Sequence, residues 1–176
     1  MKKLLTLRNA LICGGALLGL TAFILAAVCG ARYNYTNLMG DPDSTLYANA
    51  VFGNGDRGAA VLPLIGAILV IVGFVCAVVI ALVGDKFLKD EKIRKIALLA
   101  AAGLMVVGGV FFLFIKDGLA AALAGKSGYA TKEDVLSAWS HGQFEAAGIV
   151  VGGVLGILGG AAVAGSQFVA DKPLVK

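Results

Sequence analysis

The chain has 176 residues, 59% of them apolar and 15% charged, with a formal net charge of +4 and a mean hydropathy of +0.91. Four apolar runs of about 20 residues take up roughly half of it, which excludes a water-soluble globular protein and leaves no room for a separate soluble domain. The expected fold is all-α: a single membrane domain, 1–176, forming a four-helix transmembrane bundle with spans at about 10–31, 59–83, 96–115 and 146–165, outer loops at 32–58 and 116–145, and a cytoplasmic loop at 84–95.

The chain begins with a basic flank and an apolar stretch, the outline of a signal peptide. The apolar run is too long for a signal core, and Val28 stands where a lipidation site before Cys29 has a small residue, so the segment is expected to persist as span 1. Gly15, Gly19, Ala22, Ala26 and Gly30 share one stripe of that helix. Outer loop 1 follows, with Tyr33 and Tyr35 placed for an interfacial belt and turn chemistry at 40–44 and 53–58. Between those turns, 44–52 reads equally as a short strand or a helical turn. Asn34-Tyr35-Thr36 matches a glycosylation sequon but lies too close to the membrane to be given weight.

Span 2 carries Pro63 in its first turn, where a missing amide is tolerated, and a sparse stripe of Gly66, Gly73, Ala77, Ala81 and Gly84. Span 3 offers Ala97, Ala101 and Gly108. Helix formers continue through 116–124, and Thr131 with Glu133 and Asp134 marks a new helix start by its capping signature. That helix is expected to run past Gly142 into span 4, so that spans 3 and 4 project outward as a helical extension packed on loop 1. Span 4 repeats glycine at every fourth position, Gly148, Gly152, Gly156 and Gly160. With Gly153 and Gly159 these fall in an arc of about 140°. This glycine-zipper row predicts close helix packing, its first partner being the small face of span 1, chiefly Gly15 and Gly19, at a right-handed crossing of about −40°.

Ten basic residues (Lys2, Lys3, Arg8, Lys86, Lys89, Lys92, Arg94, Lys95, Lys172 and Lys176) lie on one side of these spans, against five (Arg32, Arg57, Lys116, Lys126 and Lys132) on the other. The positive-inside rule therefore puts both termini in the cytoplasm, and the expected location is the cell membrane, multi-pass, of bacterial plasma-membrane type. The net charge is a topology signal, and no nucleic-acid partner is expected; membrane lipids and a protein partner or self-association are.

No Asp, Glu, Lys, Arg or His falls inside any span, which argues against an autonomous transporter or intramembrane enzyme. No catalytic, cofactor-binding or metal site is expected. His141 is the single histidine, and Asp41, Asp43 and Asp56 lack the spacing of a calcium loop. The three cysteines, Cys13, Cys29 and Cys76, belong to spans or their ends and read as small buried residues. Helical geometry carries the span 4 glycine face out to His141 and Glu145, an i, i+4 pair that with Lys116 forms a possible outer interfacial polar cluster, and inward to Ser166. Trp139 reads as an interfacial tryptophan or as a partner-binding anchor.

Four spans, a short basic middle loop and two outer loops resemble the topology of tetraspan proteins such as the claudin and MARVEL-like groups. Neither outer loop contains cysteine and the single tryptophan lies in the second, so no functional residue carries over. The expected function is that of a non-enzymatic integral membrane protein, a structural or accessory subunit of an envelope complex acting through its outer loops and helix packing. The alternatives are a small transporter or channel subunit needing partner copies, and a lipid-binding membrane protein.

Overall fold

The computed structural model describes residues 6–54, 57–88, 90–126 and 128–169. Lys2, Lys3, Lys89, Lys172, Lys176 and Asp56, used above for orientation and metal binding, lie outside the described residues. Four helices are long and apolar enough to cross a membrane: α1 (Leu7–Val28), α2 (Val61–Phe87), α3 (Glu91–Phe112) and α6 (Ala147–Gly165). Between them lie the strands β1 (Ala31–Thr36) and β2 (Pro42–Tyr47), then α4 (Ile115–Leu123), α5 (Lys132–Ala138) and β3 (Gln143–Glu145). Side chains set the starts of two of the long helices: Thr6 Oγ1 accepts from the Asn9 amide at 3.3 Å and Asp90 Oδ1 from the Lys92 amide at 2.8 Å.

The long helices form a ring in which each packs on its neighbours in sequence and α6 closes against α1. Three of the four seams are backbone contacts. A Cβ added at Gly15 on α1 would stand 2.5 Å from the Gly159 carbonyl oxygen on α6, and one at Gly159 would stand 2.5 Å from the Gly15 oxygen. Gly66 and Gly108 oppose each other in the same way across α2 and α3, both at 2.6 Å, and Gly109 and Gly153 across α3 and α6, at 2.5 and 2.8 Å. Approach this close brings Cα–H groups against carbonyl oxygens, a contact worth about 0.5–1 kcal/mol each, and maximises dispersion where lipid gives no hydrophobic drive. Met105, Val70, Phe112 and Ile149 fill the interior with no exposure.

The α6 glycine row is shared between two partners. Gly148 meets Cys29 and Gly152 meets the Ala22 oxygen, both near or on α1, whereas Gly156 meets Gly109 and Gly160 meets the Ala102 oxygen at 2.6 Å, both on α3. A repeat of four residues advances about 40° per step at 100° per residue, so the row turns from one neighbour to the other in three steps. On α1, Gly19 receives the Met105 Cε from α3, while its amide lies 3.1 Å from a Cβ placed at Gly159. At the far end of the α1–α6 seam a polar chain closes the ring: Arg8 Nη2 donates to Gln167 Oε1 at 2.8 Å, Gln167 Nε2 to Ser166 Oγ at 2.6 Å, and Ser166 Oγ to the Val163 oxygen at 2.6 Å.

The other end carries a cap, and three expectations are corrected there. The fold is not all-α, because β2, β1 and β3 form an antiparallel sheet in that order. Span 1 ends at Val28, so residues 31 onward are strand rather than helix, and 42–47 is strand as well. The helix beginning at Lys132 does not reach span 4: it tightens into a 3-10 turn at Trp139–His141, and Gln143–Glu145 then pairs with Arg32–Asn34 of β1. Gly142 allows this, since a Cβ there would collide with the Asn34 oxygen and the Tyr33 ring. On the other arm, a turn at Leu113 and Phe114 separates α3 from α4. Thr131 does cap α5 as its spacing predicts, in a reciprocal box with Asp134 at 3.2 and 2.8 Å.

Candidate functional site

The cap is built around Trp139, which is 2% exposed. Phe144 stacks on it with ring centroids 4.8 Å apart, Tyr47 and Tyr33 lie at 5.7 and 6.2 Å, and the Tyr33 hydroxyl donates to the Ala138 oxygen at 2.7 Å. Trp139 is therefore neither an interfacial belt residue nor an exposed anchor, but the centre of a small aromatic core joining α5, β1, β2 and β3. Tyr33, 8% exposed, belongs to that core rather than to a belt, and Tyr35 stacks on it at 5.4 Å. Burial pushes the Tyr33 and Tyr47 hydroxyls above the ordinary phenol value. Arg57 lies over the Tyr47 ring at 5.3 Å and donates to the Ala48 oxygen, and burial lowers its pKa. Among the described residues its Nε has no hydrogen-bond partner.

From this base the β1–β2 hairpin projects. Ala31 and Tyr33 at its root are buried, while Pro42 to Leu46 are exposed on both faces. Its tip is held by four hydrogen bonds, two between backbone groups and two to one side chain. The Asn37 amide donates to the Asp41 oxygen at 2.9 Å, the Gly40 amide to the Asn37 oxygen at 3.0 Å, and Asn37 Oδ1 accepts from the Met39 and Asp41 amides at 2.9 and 3.0 Å. Gly40, at φ +87°, supplies the left-handed residue of the turn that joins Thr36 to Pro42. On this ordered turn stand Leu38 and Met39, 108% and 89% exposed; Leu46, opposite Arg32 at the root of the hairpin, is exposed as well. Asp43 is engaged locally, accepting from the Tyr35 hydroxyl at 3.1 Å and the Ser44 amide at 2.7 Å.

The three residues of the predicted polar cluster stand on different elements. Lys116 lies at the start of α4, His141 ends the 3-10 turn and Glu145 sits on β3 opposite Arg32, all three exposed, and no ion pair joins them among the described residues. His141 and Glu145 do not share a helix face, because the backbone between them is extended. The ion pair that does tie the cap's helices together is Lys132 to Asp117, 2.8 Å. No group of three or more metal-ligating side chains occurs among the described residues, and Cys13, Cys29 and Cys76 are free thiols.

The turn at 40–44 is legible in the sequence, whereas the exposure of Leu38 and Met39 on it is not; the signal for their ordered placement is Asn37 three residues before Gly40, with Pro42 opening an edge strand. Comparison of the chain with protein-family models, with curated proteins and with solved structures finds no match.

Proposed function

We propose that the chain is a non-enzymatic membrane scaffold or accessory subunit whose cap lies outside the membrane, with both termini in the cytoplasm, and whose β1–β2 hairpin docks on a protein partner in an envelope complex. The observation that carries this reading is the pair Leu38 and Met39, fully presented to solvent on a turn that four hydrogen bonds hold in one shape. An apolar pair left exposed by a mobile loop would mean little; on an ordered tip it is a preorganised contact. β2 is also an edge strand along its whole length, with Pro42 and Asp43 limiting strand addition to its Ser44–Tyr47 part. The glycine-zipper face serves this role by fixing the bundle on which the cap sits.

The test is a photoreactive amino acid at position 38 in cells. One dominant adduct with another membrane or envelope protein, absent when the same probe replaces Val151 on the exposed side of α6, supports the reading. An adduct of twice this chain's mass assigns the hairpin to self-association, and labelling of lipid alone removes the protein-docking role. Orientation is read separately by a single cysteine at Thr45 in a Cys13, Cys29 and Cys76-free background: an impermeant maleimide reaches it from outside intact cells if the cap is external.

A further inference from the structure

We infer that Met39 is a reversible oxidation site: a peroxide converts its thioether to the sulfoxide, and the oxidised hairpin tip releases its partner. The inference rests on the docking role proposed above for Leu38 and Met39. Its basis is where the chain keeps its sulfur. Of the three methionines and three cysteines, Met1 lies outside the described residues, and Met39 alone among the others stands on the cap. Cys13 and Cys76 belong to the spanning helices α1 and α2, and Cys29, at the C-cap of α1, has its Sγ against Gly148 of α6. Met105 has no exposure, and its Cγ and Cε occupy the space that a Cβ would need at Gly73, Gly19 and Gly159. Met39 is 89% exposed on a turn of fixed shape.

The step needs an oxidant of the peroxide class and nothing more. A sulfur lone pair attacks one peroxide oxygen, the S–O bond forms as the O–O bond breaks, and the departing hydroxide takes up a proton and leaves as water. Sulfur is oxidised by two electrons and the peroxide is reduced by two. A dithiol reductase reverses the change, removing the oxygen as water and becoming a disulfide itself. Oxidation follows access to the sulfur, so Met39 reacts well before Met105. The product places a polar sulfoxide where an apolar thioether stood. The fold is indifferent to that exchange here. The four hydrogen bonds that shape the tip run between backbone groups and Asn37 Oδ1, and none uses the Met39 side chain. Docking is not indifferent, because a partner surface that covers Leu38 and Met39 would have to bury the sulfoxide oxygen without a donor. The same oxidation at Met105 would instead put a polar group into the glycine-lined interior, so the position of Met39 separates control of binding from loss of stability.

The experiment exposes membranes holding the full chain, with the photoreactive residue at position 38, to hydrogen peroxide; the oxidant is quenched and the sample irradiated. Peptide mass spectrometry reads the added oxygen at Met39 and at Met105, and the partner adduct is measured on the same sample. Met39 is expected to gain oxygen at least tenfold faster than Met105, with the adduct yield falling at least tenfold and returning after treatment with methionine sulfoxide reductases. In Met39→Leu, whatever adduct yield the variant shows untreated, peroxide does not lower it further, which separates oxidation of this residue from oxidation of the partner. The unfolding temperature of the oxidised chain in detergent, followed by the Trp139 signal, is expected to stay unchanged. Equal oxidation of the two methionines, a full adduct yield with Met39 oxidised, or an equal fall in Met39→Leu overturns the switch and leaves the docking role standing. Absence of any adduct before peroxide is added removes the docking role itself, and the switch with it.

Discussion

The bundle and the cap are packed by opposite chemistries. In the bundle the closest contacts involve no side chain on at least one partner: Gly15 against Gly159, Gly66 against Gly108, Gly109 against Gly153. In the cap they involve the largest side chains the chain owns, with Trp139 enclosed by Tyr33, Tyr47 and Phe144. The difference follows from the solvent. Apolar surface gains little by leaving lipid, so helices there are held by close approach and dispersion, whereas in water the burial of large rings is the main driving force. The packing chemistry changes between Cys29 and Ala31 on one chain segment and at Ala146 on another.

The largest effect that can break this comparison is at a zipped glycine. Gly160→Leu is expected to prevent a folded bundle from being recovered in detergent, and Gly160→Ala to cost about 1–3 kcal/mol, because the 2.6 Å neighbour is the Ala102 carbonyl and not a side chain that can turn away. Gly103→Ala, where nothing lies within 4 Å, is expected to shift stability by less than about 0.5 kcal/mol. Equal unfolding temperatures for the two alanine variants would remove the claim of backbone packing.

Trp139→Ala comes next, at about 3–5 kcal/mol for a buried ring. The loss should be confined to the cap: amide exchange accelerates at β1, β3 and α5 while the four long helices keep their protection. Thr131→Ala, which removes the box that starts α5, is expected to cost about 1 kcal/mol, read as faster exchange in α5 alone.

The smallest effect is alkaline. Tyr33 and Tyr47 have raised folded pKa values, so their contribution is complete below the ordinary phenol value of about 10. Above it the unfolded chain ionises first and stability falls until the folded groups titrate. Tyrosinate absorbance should therefore rise late, together with loss of the Trp139 signal; early, reversible ionisation with the cap intact would contradict the burial of these rings.

Much of the bundle was legible in the sequence, because length and apolarity alone locate helices in a membrane: the observed spans start and end within a few residues of those expected. The α5 cap was legible too, since Thr131 and Asp134 act through local backbone. What was hidden depends on contacts distant in sequence. β3 is three residues whose extended form is decided by pairing with Arg32–Asn34, more than a hundred positions away. Trp139 is buried by rings from three segments, none of which has a pattern of its own. The α6 row announced close packing but not its division between α1 and α3, which depends on how the ring closes. The helical spacing expected of His141 and Glu145 does not hold for a related reason: extrapolating helical geometry through Gly142 assumed a helix that the sheet interrupts.

That a rigid bundle presents a preformed docking tip is tested most directly by the Leu38→Ser, Met39→Ser double variant. Two quantities are read on one preparation, the unfolding temperature in detergent and the yield of the partner captured by the position-38 adduct, now co-purified without crosslinking. Both side chains already stand in solvent, so an unchanged unfolding temperature and at least a tenfold loss of partner are expected. Full partner recovery with both residues replaced would contradict that expectation.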